Sequence, residues 1–410
     1  MTVEQGAAAQ DVVTITRLAE AKEIYRQREM RQALYDTGEV VMSGVLVNLH
    51  GDQHRARRRL ENRLFRRETF LHYEQDLFPP VLEETLAPHV AAGRAELVSL
   101  SHELMMNLAA INAGVDRRER TEEETHRLYG YMMKFIEAAT AKHHVGDWAE
   151  ASGAVQTALE AFDAEFLLPS IDRRRAALAE VEAGRREEAD LPQDVLTILV
   201  RNQDQLDLPH ELVRREIAFF LLAGAHTSAT AFTRTIDNML TWFERHPADR
   251  ARAIEDRAWV QRCVHETVRL APSSPVGMRR ALADVELRDG TVVPAGTEVV
   301  IDLVAINTDP EVFGPDAVSF NPDRQLPEDV PLHGLSFGHG AHACIGQELA
   351  AGVLTGAGDG TAALQWGLAT VAVEAAFARG VDRDPARAPE VDRRTARPYW
   401  SSYPVCFGAG

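Results

Sequence analysis

The chain has 410 residues, 45% hydrophobic and 26% charged, a balance that fits a globular protein with a large core and excludes a disordered or fibrous one. Lys plus Arg number 44 against 62 Asp plus Glu, a net charge of −18, which argues against nucleic acid and against an anionic membrane surface as partners. Three scattered cysteines (Cys263, Cys344, Cys406), no apolar run of ~18 residues and an N-terminus without a signal-peptide plan point to a reducing, cytoplasmic setting.

Val12–Thr16 (VVTIT) opens the chain as a short strand. From about Arg55 to about Arg269 apolar residues recur three and four apart, which predicts a mainly helical portion over about 55–270. Asp172 to Asp190 reads as a solvated, charge-rich helical face. A connection at Gln203–Pro209 precedes a long helix from Leu212 to about Arg245. Beyond Arg269 the texture changes. Val285–Val293 reads as a hairpin around Asp289-Gly290, a pair that tolerates a tight turn. A strand is predicted at Glu298–Val304, an irregular meander from Asp309 to His339, and β structure again at Tyr399–Phe407. The β-rich portions are thus about 11–50, 275–305 and 395–408, and no linker divides residues 1–410.

The most informative segment is Phe337-Gly-His-Gly-Ala-His-Ala-Cys-Ile-Gly346. Its glycines suit a backbone that turns tightly beside a ligand, and nearby amides with a following helix start would favour a thiolate. Three readings compete on the residues alone: a buried thiol, part of a zinc site with His339 and His342, or a heme-iron ligand. The segment resembles the cysteine-ligand loop of cytochromes P-450, F-G-x-G-x-H-x-C-x-G, at every fixed position: Phe337, Gly338, Gly340, His342, Cys344 and Gly346. Three further segments resemble the family in the right order. They are Glu266-Thr-Val-Arg269 for its E-x-x-R helix, Phe320-Asn-Pro-Asp-Arg324 for its meander, and Ala223-Gly-Ala-His-Thr227 for its oxygen-binding stretch. The resemblance runs over about residues 12 to 407 and implies a single-domain, mainly α P-450 prism fold. In it, heme lies between the long central helix and the cysteine loop, with a small β-rich part.

The resemblance implies roles for particular residues. Cys344 would be the axial ligand of heme b (iron protoporphyrin IX), with Phe337 packed beside it and Gly346 closing the loop. His54 and Arg58, at i and i+4 of a basic helix start, resemble the family's propionate pair; Arg279 (with Arg280 as the register alternative) and His339 would be further propionate donors. Glu266, Arg269 and Arg324 would form the structural network that holds the meander. Ala223 and Gly224 would leave room for O2, and Thr227 would hold it. Cys263 and Cys406 match no family site. The pocket would be lined by Phe219, Phe220, Val276, Met278 and Trp400.

Three departures stand out. His226 occupies the place where most members carry Asp or Glu; an imidazole can relay protons near neutral pH, or it can turn away into a polar contact. The part ahead of His54 is short, as though it begins at the family's β-region. A glycine-rich insertion at about 352–367 interrupts the helix after Cys344, because four glycines disfavour helix there.

By resemblance the expected function is that of a bacterial-type monooxygenase, as in secondary metabolism, inserting one oxygen atom of O2 into a small or medium hydrophobic substrate. NAD(P)H would act only through a separate ferredoxin and ferredoxin reductase, since the chain shows no Rossmann fingerprint and no cysteine cluster. The alternatives are an atypical heme-thiolate enzyme (coupling, desaturation, ring formation or peroxide-driven oxidation) and a non-catalytic heme-binding sensor. Arg55, Arg57, Arg59, Arg63, Arg66 and Arg67 are expected on one basic helix facing the ferredoxin.

Overall fold

The computed structural model describes residues 12–144, 147–354, 365–393, 395 and 399–408. Helices dominate, and the described residues also form four small sheets, of which two have more than two strands. The first sheet has β1 (Val12–Ile15), β2 (Met30–Gln32), β4 (Val276–Ala281) and β5 (Glu298–Asp302) in the order β1-β5-β4-β2. β1 runs parallel to β5, and the other neighbours are antiparallel. The register of β2 against β4 sets Gln32 opposite Arg279, a pairing the site uses. In the second sheet β7 (Pro404–Phe407) lies between β3 (Arg94–Glu96) and β6 (Val381–Arg383). The hairpin at Val285–Val293 forms with Gly290 at φ +84°.

The long helix α5 (His210–Arg245) runs unbroken for 36 residues. Along it lies α3 (Leu97–Ala113), buried on most of its faces because Leu100, Leu104, Met105 and Leu108 recur at helical spacing. α4 (Glu122–Ala139) starts at the Thr121 side chain, which accepts from the Glu124 N–H. α6 (Arg257–Leu270) and α7 (Leu368–Ala378) complete the main core against α5. Among the described residues no helix is long and apolar enough to cross a membrane.

Two expectations need correction. The strand predicted at Glu298–Val304 stops at Asp302, whose carboxylate accepts from the Ala305 N–H at 2.9 Å and starts a short helix at Leu303. The basic helix, α2 (Gly51–Glu61), ends before Arg63 and Arg66, which sit in turns. Residues 355–364 of the glycine-rich insertion lie outside the described residues. On its two flanks, the helix Gln347–Ala351 ends at Gly352 (φ +72°) and α7 resumes after Gly367 (φ +85°). Gln261 donates to carbonyls on both flanks, Ala351 at 3.2 Å and Gln365 at 3.0 Å. Glu74 accepts from the Gly367 N–H at 2.9 Å.

Candidate active site

The loop Phe337–Gly346 is folded by its own glycines. Gly338 and Gly340 adopt φ +69° and +70°, and a Cβ on Gly340 would come within 2.6 Å of the Tyr25 carbonyl. The Cys344 N–H donates to the Phe337 carbonyl at 2.8 Å and closes the loop. The Cys344 side chain stays accessible although it lies deep, so the surrounding protein raises its thiol pKa while the Gly346 amide and the Arg58 guanidinium act the other way. Cys263 is fully buried in the core, where burial pushes its thiol well up; Cys406 rests against the carbonyls of Asp382 and Arg383.

Basic groups from three separate elements gather beside this loop. Arg58 of α2 donates to the Ala343 carbonyl at 2.9 Å. His54, one turn earlier, stacks on His342 with ring centroids 4.0 Å apart. Arg279 of β4 is 3% exposed and held by Gln32 at 2.6 Å and by the Tyr25 ring face at 4.7 Å. Among the described residues no carboxylate bonds to His54, His342 or Arg279. Burial and the neighbouring cations Arg58 and Arg55 push His54 down to about 4. His342 falls to about 3 from burial, His54, Arg279 and Arg58. His54 Nε2 is buried with no partner. Buried charge of one sign, with an orphaned donor or acceptor, is what two carboxylate groups of a ligand would satisfy. His339 stands apart, beside Lys22 and Arg26 of the helix α1 (Leu18–Arg26), with its Nε2 buried and unpartnered. The sequence alone does not mark His342 or Gln32 as part of the basic cluster. The signal for His342 was its fixed place in the motif; that for Gln32 exists only in the β2–β4 register.

On α5 the residues Ala223, Gly224 and Thr227 lie on one face, and Gly224 and Thr227 are exposed in the middle of an otherwise buried helix. The Thr227 hydroxyl donates to the Ala223 carbonyl at 2.8 Å, and the Thr227 carbonyl accepts from Ser273 Oγ at 3.2 Å. His226 points the other way: it is 9% exposed, its Nδ1 lies 3.2 Å from His102 Nε2 on α3, and the Tyr399 ring meets it edge-on. An accessible strip on the central helix, an accessible Cys344 and an uncompensated basic cluster fit heme with its two propionates.

The remaining predicted residues are placed as follows. Arg269 donates to both oxygens of Glu266 at 2.6 and 2.7 Å, Arg324 to Glu266 at 3.1 Å, and each arginine also bonds carbonyls of the meander, Ala317 and Ser319 among them. All three side chains are buried. Phe219 and Val276 are half-buried. Phe220 stacks on Phe65, Met278 is 1% exposed against Ala33 and Leu34, and Trp400 packs between Arg234 and Tyr403. Arg55, Arg59, Arg63, Arg66 and Arg67 are exposed, but Arg57 is not part of that surface: it is buried in an ion pair with Glu216 at 2.6 Å. Period 3.6 turns it inward from Arg55 and Arg59. A cavity of about 540 Å³ lined by Tyr73, Asn107, Arg117 and Arg174 does not include the cysteine loop; Arg174 is spent there on Asp116 and Asp194.

Comparison with known proteins agrees with this geometry. Residues 161–354 match the cytochrome P-450 family. The chain is 32% identical over 185 residues to the cytochrome P-450 monooxygenase buaD of Petromyces alliaceus, covering 38% of this chain and 34% of that protein. Among solved structures it resembles the P-450 heme domain of Tepidiphilus thermophilus (TM-score 0.72, 19% identity, 96% of this chain and 88% of that one). It also resembles P-450BioI, solved with an acyl carrier protein that carries hexadec-9Z-enoic acid (TM-score 0.69, 17% identity, 96% and 92%). The matched stretches span between 17% and 53% of the curated relatives' lengths. The family match thus covers just under half of the chain, and over the rest the likeness to solved P-450 structures is one of fold.

Proposed function

We propose that the protein is a heme-thiolate monooxygenase that places one oxygen atom of O2 into a small or medium hydrophobic molecule. The observation that carries the reading is the accessible Cys344 thiol beside a basic cluster to which, among the described residues, no carboxylate is bonded. Cys344 Sγ would ligate the iron of heme b, with Phe337 packed beside it. Arg58, Arg279, His54 and His342 would hold the propionates, with His339 as a further donor from the α1 side. Bound there, heme would supply the reductive activation of O2. The chain's own work is positional and protonic. Ala223 and Gly224 keep the middle of α5 open. The Thr227 hydroxyl, now spent on the Ala223 carbonyl, holds a proton at Oγ1 that it can present elsewhere only by giving up that bond. It needs recharging, and His226, one residue before it but held through Nδ1 against α3, would have to accept and return that proton through its other ring nitrogen. Phe219 and Val276 would border an apolar substrate space and exclude water.

Electrons would come from NAD(P)H through a ferredoxin reductase and a ferredoxin, an acidic partner drawn by the exposed arginines of α2 and the turn after it. A cytoplasmic location fits this supply. A second reading, an atypical heme-thiolate oxidation, keeps one observation in its favour, the inward turn of His226 onto α3. The test is spectral. Purified protein reduced under carbon monoxide should show the red-shifted Soret band of thiolate ligation; Cys344→Ser should lose it, and Cys263→Ser and Cys406→Ser should keep it. Protein that folds without heme and shows no such band after loading refutes the reading. Product formation driven by peroxide alone, with NAD(P)H and donor proteins inactive, replaces the monooxygenase with the atypical enzyme.

A further inference from the structure

Where α3 crosses α5, two buried histidines meet. His102 is 8% exposed and His226 9%. Their rings stack at 5.5 Å, and His102 Nε2 lies 3.2 Å from His226 Nδ1. At the other edge of the first ring, His102 Nδ1 lies 2.9 Å from the Val98 carbonyl oxygen. A carbonyl only accepts, so His102 Nδ1 carries the proton. Burial pushes the His102 pKa below the ordinary histidine value, so the ring is neutral near pH 7 and its Nε2 holds a lone pair. The hydrogen bond between the rings then has one direction: His226 Nδ1–H donates and His102 Nε2 accepts. In the neutral imidazole of His226 the atom left without a proton is then Nε2.

A second tie locks this arrangement. Thr233 Oγ1, seven residues along α5 from His226, donates to Ser101 Oγ at 3.0 Å, and Ser101 Oγ donates to the same Val98 carbonyl at 2.8 Å. Ser101 and His102 thus share one acceptor, and the seam between the helices fixes the ring of His102 before it meets His226.

We propose that His102 is a positioning residue for the distal side of the site, selecting the His226 tautomer that is protonated at Nδ1 and basic at Nε2. The inference rests on the reading of His226 as the proton carrier next to Thr227, but it concerns only which nitrogen holds the proton. Nothing passes beyond His102, since the Val98 carbonyl ends the chain. A carboxylate in the place of His226 would have two equivalent oxygens and need no such neighbour. An imidazole has two unlike nitrogens, and the wrong tautomer would present an N–H where a base is required.

The test reads the tautomer directly. Heme-loaded protein, reduced and bound to carbon monoxide so that it is diamagnetic, is labelled with 15N-histidine, and His226 is assigned by comparison with His226→Gln. Wild type should show His226 protonated at Nδ1, with a scalar coupling across the hydrogen bond to His102 Nε2. His102→Gln, whose amide oxygen can still accept, should keep the Nδ1 proton. His102→Leu should lose it in favour of Nε2. Peroxide release per NAD(P)H should rise in His102→Leu and return toward wild type in His102→Gln. Protonation of wild-type His226 at Nε2, or an unchanged Nδ1 tautomer in His102→Leu, overturns the proposal. Should His102→Leu fail to fold, absence of the cross-ring coupling in wild type overturns it equally. A tautomer that shifts as stated without any change in peroxide release leaves His102 in its role and removes His226 from the proton path instead.

Discussion

Two clusters of buried charge behave in opposite ways. In the first, Glu266 lies between Arg269 and Arg324, and both guanidinium groups are also bonded to meander carbonyls. Arg324 also pairs with Asp316 at 2.6 Å, so two guanidinium groups meet two carboxylates and every charge finds its complement within the chain. In the second, His54, Arg58, Arg279 and His342 gather beside Cys344, and burial together with the neighbouring cations depresses the protonation of both imidazoles. Desolvated charge costs several kcal/mol unless paired. The first cluster therefore reads as scaffold, complete without any ligand. The second is incomplete without an anion. The same residue types serve both, so what separates structure from binding is whether the charge balance closes locally.

Breaking the closed cluster should have the largest effect. Arg269→Ala leaves Glu266 buried and half-paired and strips the Asn307 and Ala317 carbonyls of their donor. Loss of one partner of a buried pair costs roughly 3–5 kcal/mol, a large part of a typical stability. Chemical denaturation should show a loss of that size, with little soluble heme-loaded protein. A loss under about 1 kcal/mol would mean that the meander is held by other contacts.

The open cluster should answer to pH instead. His54 and His342 are less basic in the folded chain than in the unfolded one, where ~6.5 is expected. The unfolded chain therefore binds more protons as pH falls through 6.5, and folded stability declines from there until the folded imidazoles titrate, near 4 for His54 and near 3 for His342. Full protonation of His54 alone would remove about 3 kcal/mol as an upper figure. Heme-free protein should lose stability between pH 6.5 and 4, and heme loading should flatten the curve because the propionates supply the missing charge. Parallel pH profiles with and without heme would contradict the assignment of the cluster to propionates.

Much of this was legible in the sequence because it is local. The loop Phe337–Gly346 carries its own turns in Gly338 and Gly340, so its shape is written in ten consecutive residues. The break after Ala351 was equally visible, since Gly352 and Gly367 take backbone angles that other residues resist. What could not be read depends on chain crossing. His102 meets His226 across 124 positions, and nothing near Leu97–Ala113 marks one buried histidine as special. Arg57 looked like its neighbours in HRARRRL, yet the helix period turns it onto Glu216. Met278 was expected in the pocket by resemblance, yet it is 1% exposed with Ala33 and Leu34 packed against it. Local periodicity states which face a residue shares, and only the packing states what that face meets.

A third arrangement, charge exposed to solvent, extends the comparison to the surface. Arg59, Arg63 and Arg66 make no ion pair among the described residues, and water screens them. Such charges contribute little to stability and more to encounter rates. Arg63→Glu should leave the denaturation midpoint unchanged and slow reduction by an acidic ferredoxin several-fold at low salt, about 1 kcal/mol in rate terms. Added salt should erase the difference. Stopped-flow reduction rates that ignore both the substitution and the salt would place the donor elsewhere.

Between closed and open lies a half-balanced case, where the smallest effect is expected. Glu61 of α2 is fully buried, and neither carboxylate oxygen has a partner. Its charged neighbours are Glu216, Arg57 and Arg58, and Arg57 is already engaged with Glu216. Burial and the Glu216 charge push the Glu61 acid well above the usual carboxylate range. Burial also raises Glu216 to about 7, against the pull of Arg57 and the Leu46 amide. Arg57 is spent on Glu216, and Arg58 on Asn62 and the Ala343 carbonyl, so neither cation is bonded to Glu61 and a retained proton settles the balance. The folded state holds that proton more tightly than the unfolded state. The stabilisation is therefore complete below the unfolded value near 4.5 and is lost as pH rises through the folded values. Glu61→Gln keeps the shape and removes the titration. At neutral pH it should be as stable as wild type or more so, within about 1 kcal/mol, and the advantage should grow between pH 5 and 8. Denaturation midpoints at those two pH values decide it, with wild type as the reference so that the histidine contribution cancels. An advantage that does not change with pH would show that Glu61 is already ionised in the folded chain, and that α2 and α5 are joined by a closed cluster after all.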